Sequence, residues 1–281
     1  MVGGRGLAIR ILRLYLPLGF FLVAMLFPFY WMAVTSIKPN AELYNPNAMP
    51  LVVRYPTLQH YVDLLSQTGF LTWTYNTMLV AVVTTILSLV IGTMCAYPLA
   101  RMRFPGAALV AIGIAATYLV PQPLLFIPMA DIINRLELSN TLSAVMLTYP
   151  TLLVPFCAWL LMGYFKSVPR ELEEAARIDG ASRFQAMVRV VLPLCVPGLL
   201  SAGIFAFTLA QNEFLYALIF LTTTEVRTVP VGAIAELIRG DVFYWGQLMA
   251  AALLGCIPVA VIYSFFVEYY VAGLTAGAVK N

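Results

Sequence analysis

The sequence predicts an all-α integral membrane protein with six transmembrane helices and both termini in the cytoplasm. Its 281 residues are 62% hydrophobic and only 10% charged, with a mean hydropathy of +0.89, whereas soluble domains carry about 25% charged residues. The few charged residues also leave long apolar intervals between them. This composition excludes a soluble enzyme, a nucleic-acid-binding protein and a disordered chain.

Six intervals without Asp, Glu, Lys or Arg are each long enough to cross a bilayer, which takes about 20 helical residues. Runs such as residues 79–83 are apolar on every side, which fits a membrane helix better than the alternating pattern of a membrane strand. We predict spans at approximately 14–36, 76–99, 106–128, 141–164, 198–221 and 247–271.

Basic residues predict the orientation, because cytoplasmic loops are enriched in Lys and Arg. Eleven of the 16 basic residues lie in the N-terminal segment, the segments 101–103 and 165–197, and the C-terminal tail. We therefore expect these four segments in the cytoplasm. The first span is predicted to be retained as a helix, because its apolar run is too long for a signal peptide.

Residues 37–75 form the longest predicted outer loop. Turn-forming residues begin it, and apolar residues recur at helical spacing between Leu58 and Leu65, which predicts a short helix at the membrane surface. The loop is either a simple connector or a docking surface. Trp73 and Tyr75, at its end, are predicted to anchor the second span at the headgroups.

Small residues occupy every fourth position of the second span: Thr84, Ser88, Gly92, Ala96 and Ala100. A row of small side chains lets another helix approach closely, which is a main route to helix association in lipid. This row is predicted to pack against a helix of this chain or of a partner.

One predicted span is interrupted by prolines, and another contains polar residues. Pro121, Pro123 and Pro128 break the third span, and the carbonyls that they free require protein or a water-filled cavity nearby. The fifth span carries Asn212 and Glu213 about 20 Å from its cytoplasmic start. An ionisable group at that depth is a functional candidate; the alternative is a hydrogen bond between helices that fixes their packing.

The cytoplasmic segment 165–197 has the signals of two short helices joined by a turn. Pro169 suits a first helical turn, and the glutamates at 171–174 suit its positive end. Gly180 can adopt the left-handed conformation that ends a helix, and a second amphipathic helix is predicted from Ser182. On this evidence the first helix is either structural or a ridge of small residues that docks on another protein.

The spacing within this segment resembles the EAA loop of binding-protein-dependent ABC importer permeases. Glu174-Ala175-Ala176 is followed after three residues by Gly180, and after nine more by Val190-Val191-Leu192-Pro193. The resemblance extends over nearly the whole chain and is strongest to the sugar branch, of the maltose and trehalose type. It is supported by Asn76-Thr77, residues 96–106, Asn212-Glu213 and residues 272–280. The branch usually has Ile at Val190 and Trp at Gln211.

The resemblance implies the ABC type I importer permease fold and a coupling function for this loop. In the family the loop sits in a cleft of a cytoplasmic ATPase, which acts as a homodimer and binds ATP and magnesium. The tail at 277–281 would reach the same interface. The coupling residues implied here are Glu174, Ala175, Ala176, Asp179, Gly180, Leu192 and Pro193.

The chain itself is expected to need no cofactor or metal and to be no enzyme. It has no phosphate-binding GxxxxGK[ST] motif, and with His60 as the sole histidine it cannot form an imidazole and thiolate zinc site. The family mechanism further implies a second homologous permease, an extracellular or periplasmic binding protein received by loops 37–75 and 222–246, and a sugar substrate. The expected location is the bacterial inner membrane, and no nucleic acid is involved.

Five residues are candidates for the substrate pathway between the two permeases. Gln122, Asn212 and Glu213 are the main ones, and Tyr118 and Tyr149 are secondary because membrane aromatics more often serve packing. In some relatives one permease makes nearly all of the substrate contacts.

Three alternatives remain at this stage. An importer for another solute, such as a glycerol phosphate or polyol, would share every feature above. An ion-coupled secondary transporter is also polytopic, with Glu213 and Glu268 as its possible ion sites. An intramembrane hydrolase is disfavoured, because His60 and the four aspartates lie outside the spans.

Overall fold

The computed structural model describes residues 11–117 and 119–276, with residues 11, 12 and 268–276 described by their backbone alone. Tyr118, the side chain of Glu268 and the tail 277–281 lie outside this description. The helices are α1 (Leu16–Ile37), α2 (Asn40–Leu43), α3 (Gln59–Gln67), α4 (Phe70–Arg101), α5 (Ala107–Thr117), α6 (Gln122–Arg135), α7 (Leu142–Thr148), α8 (Pro150–Ser167), α9 (Arg170–Ile178), α10 (Arg183–Ala186), α11 (Leu192–Leu194), α12 (Val196–Asn212), α13 (Leu215–Phe220), α14 (Val229–Leu237) and α15 (Trp245–Ala276). A two-stranded antiparallel hairpin, β1 (Ile238–Arg239) and β2 (Val242–Phe243), precedes α15.

Four stretches of helix are long and apolar enough to cross a membrane: Arg13–Ile37, Phe70–Arg101, Leu142–Ser167 and Trp245–Val267. Two further candidates are bent pairs, α5 with α6 and Arg183–Leu194 with α12, the second bent by 79°. The described residues therefore hold four candidate spans, or up to six if each bent pair crosses once. The predicted fifth span, 198–221, is not one continuous helix, because α12 ends at Asn212 and α13 begins at Leu215.

The chain forms two compact units. Of the described residues, those up to Phe70 form one unit together with Ala233–Ile257, and those in Leu71–Gly232 form the other together with those from Pro258 onward. The second unit holds the buried core, which is built mainly from α4, α8 and α12.

In the first unit, polar contacts order the segment that follows α1. The buried ammonium of Lys38 donates to the carbonyls of Met49 (2.8 Å) and Pro50 (3.1 Å). A ring nitrogen of His60, on α3, lies 2.9 Å from the carbonyl of Lys38. The imidazole packs so closely on Gly246 that a Cβ at that glycine would lie 2.3 Å from the ring. The segment is therefore a folded element with its own buried polar contacts.

In the second unit, the small-residue row of α4 packs within this chain. All five of its residues are buried, and a Cβ at Gly92 would lie 2.8 Å from the Cβ of Cys157 on α8. Gly198 on α12 similarly lies against the ring of Tyr164 on α8. Glycine is needed at both contacts because it removes the side chain that would hold the helices apart.

The predicted headgroup anchor at Trp73 is wrong. Helix α4 begins at Phe70, six residues before the predicted start, and Trp73 is fully buried. Its indole nitrogen donates to the carbonyl of Thr224 (3.1 Å), and its ring lies on Gly232. Tyr75, by contrast, is 66% exposed. A buried tryptophan finds a hydrogen-bond partner, and here that partner comes from a loop distant in sequence.

Candidate functional site

The first candidate region is the loop 165–197, in which Gly180 ends helix α9. Gly180 has φ +94°, and the amide of Ala181 donates to the carbonyl of Ala176 while that of Gly180 donates to Arg177. This pair of hydrogen bonds is the Schellman arrangement, in which a left-handed residue closes the helix. A Cβ at Gly180 would meet nothing within 4 Å, so glycine is required by the backbone conformation and not by crowding.

Helix α9 carries three of the residues predicted to contact an ATPase. Glu174 and Ala175 are exposed, and Ala176 is half-buried. The structure adds Ile178, which is 86% exposed at the end of the helix, and Phe184, which is 62% exposed just after the turn. Exposed large apolar side chains at the end of α9 and just after the turn indicate a contact surface. The sequence pattern did not single out Ile178, because exposure of one apolar residue cannot be read from spacing.

The other predicted coupling residues occupy two different places. Asp179 and Gly180 border a cleft of about 400 Å³ beneath the turn. Leu192 is half-buried against the core and Pro193 is exposed, both in the short helix α11 that leads back to α12. The structure therefore brings Glu174, Ala175, Asp179 and Gly180 to the tip of the loop, while Leu192 and Pro193 lie at its base.

A capping box begins the second helix of the loop. The amide of Gln185 donates to the hydroxyl of Ser182 (3.2 Å), and the amide of Ser182 donates to the side chain of Gln185 (2.8 Å). The helix then continues as a π-helical segment, Met187–Val191, before α11. Reciprocal capping satisfies two amides that would otherwise lack partners, so the start of this helix is set locally.

The second candidate region is a cavity of about 770 Å³ in the second compact unit. It lies where two helices break, between Thr117 and Gln122 and again between Asn212 and Leu215. Four of the predicted pathway residues line it: Gln122, Tyr149, Asn212 and Glu213. The fifth, Tyr118, lies outside the described residues. The proline-rich interruption of the predicted third span thus coincides with a cavity, as the chemistry of the freed carbonyls requires.

Glu213 forms part of the cavity wall and also caps a helix. Its two carboxylate oxygens accept hydrogen bonds from the amides of Tyr216 (2.9 Å) and Ala217 (3.1 Å), at the start of α13. The hydroxyl of Tyr149, a buried residue, lies beside the same carboxylate. Amides that begin a helix need acceptors, and here an acidic side chain supplies them. The carboxylate therefore has a local structural role as a helix cap, which differs from the hydrogen bond between helices that the sequence offered as the alternative.

Asn212 and Gln122 supply the amide groups of the cavity. The side-chain nitrogen of Asn212 donates to the carbonyl of Thr208 (2.8 Å). The side-chain oxygen of Asn212 takes no part in that bond. Gln122 is the first residue of α6, directly after Pro121. Amide side chains offer both donors and acceptors, which suits hydroxylated solutes.

An aromatic pair in the cavity wall was not predicted. The rings of Phe156 on α8 and Phe205 on α12 are stacked, with centroids 4.0 Å apart and planes 19° apart, and both line the cavity. The two residues are far apart in sequence, so only the packing of α8 on α12 brings them together. Together with the neighbouring leucines, they make the wall largely apolar.

Two asparagines hold the loop after α13, and only one of them belongs to a stretch noted in the sequence. Asn76 donates to the carbonyls of Glu225 (2.9 Å) and Arg227 (3.0 Å). Asn140, with φ +58°, accepts hydrogen bonds from the amide and hydroxyl of Thr222 (both 2.9 Å). The two hydrogen bonds that Asn76 donates use both hydrogens of its amide group.

Comparison with known proteins gives the family. The model of the binding-protein-dependent transport system inner membrane component matches residues 88–275. The chain belongs to this family. It is a permease subunit of a binding-protein-dependent ABC importer, embedded in a membrane, and it is not an enzyme.

Curated relatives of this permease cover nearly its whole length. The sulfoquinovosyl glycerol transport system permease protein SmoH of Agrobacterium fabrum is 39% identical over 92% of this chain and 90% of its own. The trehalose/maltose transport system permease protein MalG of Thermococcus litoralis is 36% identical over 96% and 97%. The inner membrane ABC transporter permease protein YcjP of Escherichia coli is 35% identical over 95% of each chain.

A solved structure supports the fold of the permease. One chain of a bacterial ABC transporter involved in the import of the acidic polysaccharide alginate superposes with a TM-score of 0.80, over 94% of this chain and 98% of that one. The two sequences are 22% identical, so this likeness concerns the fold alone.

Proposed function

We propose that this permease crosses the bacterial inner membrane six times, with both termini in the cytoplasm, in the type I importer arrangement. Helices α5 and α6 then form one bent span and α12 with α13 forms another, which gives six spans at the six intervals that the charged residues delimit. The excess of basic residues in 165–197 and at both ends supports this orientation. The interruptions of the third and fifth spans lie beside one cavity, where interrupted backbone is tolerated.

The observation that carries the proposal is the exposed tip of the loop 165–197. A helix with small and acidic residues on its open face, an exposed Ile178 and a glycine-dependent turn suits insertion into a groove of another protein. The proposed partner is a cytoplasmic ATPase homodimer, which binds ATP and magnesium. Glu174, Ala175 and Ala176 contact its cleft, and the tail 277–281 extends the interface.

The proposed cargo is a sugar, delivered by a periplasmic binding protein and passed between this chain and a second homologous permease. The binding protein contacts the outer segments 37–75 and 222–246. In the cavity, Gln122 and Asn212 offer hydrogen bonds to hydroxyl groups, and the rings of Phe156 and Phe205 form an apolar wall. Sugar rings present both kinds of surface. Two of the relatives described above are named for the transport of trehalose and maltose and of sulfoquinovosyl glycerol.

The charge of the cavity favours a neutral sugar over a glycerol phosphate. Its described lining contains no Lys or Arg, and its one carboxylate, Glu213, is engaged in a helix cap. An anionic solute would enter such a site without a cation to replace its lost hydration. A neutral polyol remains compatible with the lining, and the ligand of the binding protein distinguishes the two.

Purification of the permease from its native membrane in mild detergent tests the proposal. We expect a second permease and an ATPase to co-purify, and chemical crosslinking to capture a binding protein whose bound ligand mass spectrometry identifies as a neutral sugar. Uptake in proteoliposomes should require ATP and the complete assembly. Accumulation of solute by this chain alone, driven by an ion gradient, would instead show a secondary transporter.

A further inference from the structure

The cytoplasmic end of α4 holds the loop 165–197 through two side chains one helical turn apart. The hydroxyl of Tyr97 donates to a carboxylate oxygen of Glu173 at 2.5 Å. The guanidinium of Arg101 donates to the carbonyl of Val168 at 2.7 Å, and its Nε lies 3.7 Å from the other oxygen of Glu173. One turn of α4 thus contacts Val168, two residues before α9, and the first turn of α9 itself.

These side chains are largely shielded from solvent, although Tyr97 and Arg101 end α4 and Glu173 lies in a short loop. The side chains of Arg101 and Glu173 are 3% and 13% exposed, and Tyr97 is buried with its ring edge-on to Phe165. A buried charge requires an opposite charge and hydrogen bonds. Arg101 and Glu173 supply the opposite charge to each other. The hydrogen bonds come from the hydroxyl of Tyr97, which donates to Glu173, and from the carbonyl of Val168, which accepts from Arg101.

Glu173 differs in this respect from the glutamates on either side of it. Glu171 and Glu174 are exposed, and Glu174 lies on the face proposed to meet the ATPase. Glu171 and Glu173 both satisfy the sequence rule for acidic residues in a first helical turn. Only the fold separates the glutamate that faces inward to α4 from those that face outward.

We propose that Tyr97, Arg101 and Glu173 form a clasp that makes α4 and the loop 165–197 move as one body. The inference rests on the proposed function, because it concerns how a displacement of the loop by the ATPase reaches the membrane. The 32 residues of α4 extend about 48 Å at 1.5 Å of rise per residue. A displacement fixed at Tyr97 and Arg101 is therefore carried to the opposite end of α4, at Phe70.

The chemistry of the clasp suits this task. Charge-assisted hydrogen bonds are short and directional, so they hold α9 at one register on α4, whereas an apolar contact between the same helices could slide. The three residues act on transport through the position of the loop and touch neither nucleotide nor solute. They are positioning residues.

The test measures movement at the far end of α4 in the complete complex. Tyr75→Cys places an environment-sensitive fluorophore near the outer end of that helix, in a chain whose exposed Cys256 is replaced by Ser. The probe of the ATPase is Mg-ATP with vanadate, in the presence of the captured binding protein. The response is the change in fluorescence on trapping, measured alongside ATP hydrolysis and the melting temperature of the complex.

The informative variants remove single groups from the clasp. Tyr97→Phe deletes one hydroxyl, Glu173→Gln removes the charge but keeps an acceptor, and the double variant combines them. Glu171→Gln is the matched control, because it makes the same change on the same helix at an exposed position.

We expect the fluorescence response of Tyr97→Phe and Glu173→Gln to fall about tenfold, the scale of one charge-assisted hydrogen bond, while hydrolysis changes less than about twofold. The double variant should lose little more than either single variant, because both act in one linkage. Glu171→Gln should respond as the unmodified complex does.

Two results would overturn the clasp: an unchanged response in both variants, or a response that falls only in proportion to melting temperature and hydrolysis, which indicates packing alone. The unmodified complex separates a failure of the clasp from a failure of the proposed function. If it neither hydrolyses ATP nor responds, the proposed function fails and the clasp fails with it.

Discussion

Two helix breaks serve the two candidate regions, and they are built differently. At the tip of the loop 165–197, Gly180 ends α9 with a left-handed residue in open space. At the cavity, α12 ends at Asn212 and the carboxylate of Glu213 caps the start of α13. The first break relies on backbone conformation, and the second relies on a side chain.

The difference follows from the solvent available at each break. Water can satisfy the free amides and carbonyls of an exposed loop, so Gly180 needs only to permit the turn. Within the membrane, protein groups must take the place of that water, and the two amides at the start of α13 obtain their acceptors from Glu213. At this break beside the cavity, Glu213 therefore has a structural role in addition to lining the cavity.

The largest expected effect follows from removing the side-chain cap. Glu213→Ala deletes the acceptor of two amides and should lower the free energy of unfolding by about 3 kcal/mol, because hydrogen bonds to charged groups contribute about 1.5–3 kcal/mol each. Thermal unfolding of the detergent-purified complex measures it. Glu213→Gln keeps one acceptor oxygen and should lose about half as much.

Asn212→Ala is the matched control for the cap. It also lines the cavity, but its described side-chain bond is to one carbonyl of its own helix, at Thr208. Loss of this hydrogen bond should therefore lower the free energy of unfolding by about 1 kcal/mol or less. Equal destabilisation by the changes at Glu213 and Asn212 would show that the capping interaction is not decisive.

A smaller effect on stability is expected at the exposed break. Gly180→Val forces a β-branched residue to φ +94°, at a cost of about 1–2 kcal/mol, without any steric clash. The chain should still fold, whereas co-purification with the ATPase and ATP-dependent uptake should fall sharply because the turn is displaced. Gly180→Asn should retain more activity, since Asn tolerates the left-handed region.

Gly163→Ala is the control for the change at Gly180. Gly163 lies within α8, and a Cβ there would also meet nothing within 4 Å. Alanine should stabilise that helix by up to about 1 kcal/mol and leave uptake unchanged. Normal uptake by Gly180→Val would contradict the importance of the turn.

The variant with the smallest expected effect tests on which side of the membrane the turn at Gly180 lies. Ser182→Cys removes a helix cap at a cost of about 1 kcal/mol and places a thiol at an exposed position of the loop. A membrane-impermeant maleimide should label it in inside-out vesicles and not in intact cells. Tyr55→Cys, in the predicted outer loop and 76% exposed, should show the reverse, and the opposite result for this pair would invert the orientation.

Local patterns predicted the family and brought out residues that share a cavity, but not the contacts of those residues. The spacing from Glu174 to Pro193 identified the family that the comparisons confirm, and Gln122, Asn212 and Glu213 do line one cavity. The cap by Glu213, the burial of Trp73 and the stacking of Phe156 on Phe205 were missed. Each of these depends on where another segment lies, which a periodicity of one helix does not contain.

The sequence by itself determined that this protein resides in a membrane, which intervals are apolar enough to span it, and which loop carries the family pattern. Composition and spacing are properties of the sequence itself, so they can be read without knowing how the helices pack. The tertiary structure decided which polar groups face inward. Glu173 and Glu174 are neighbours of one residue type, yet the first is held by Tyr97 and Arg101 while the second is exposed. That distinction arises only from the packing of α9 on α4, because burial is a property of the assembled helices.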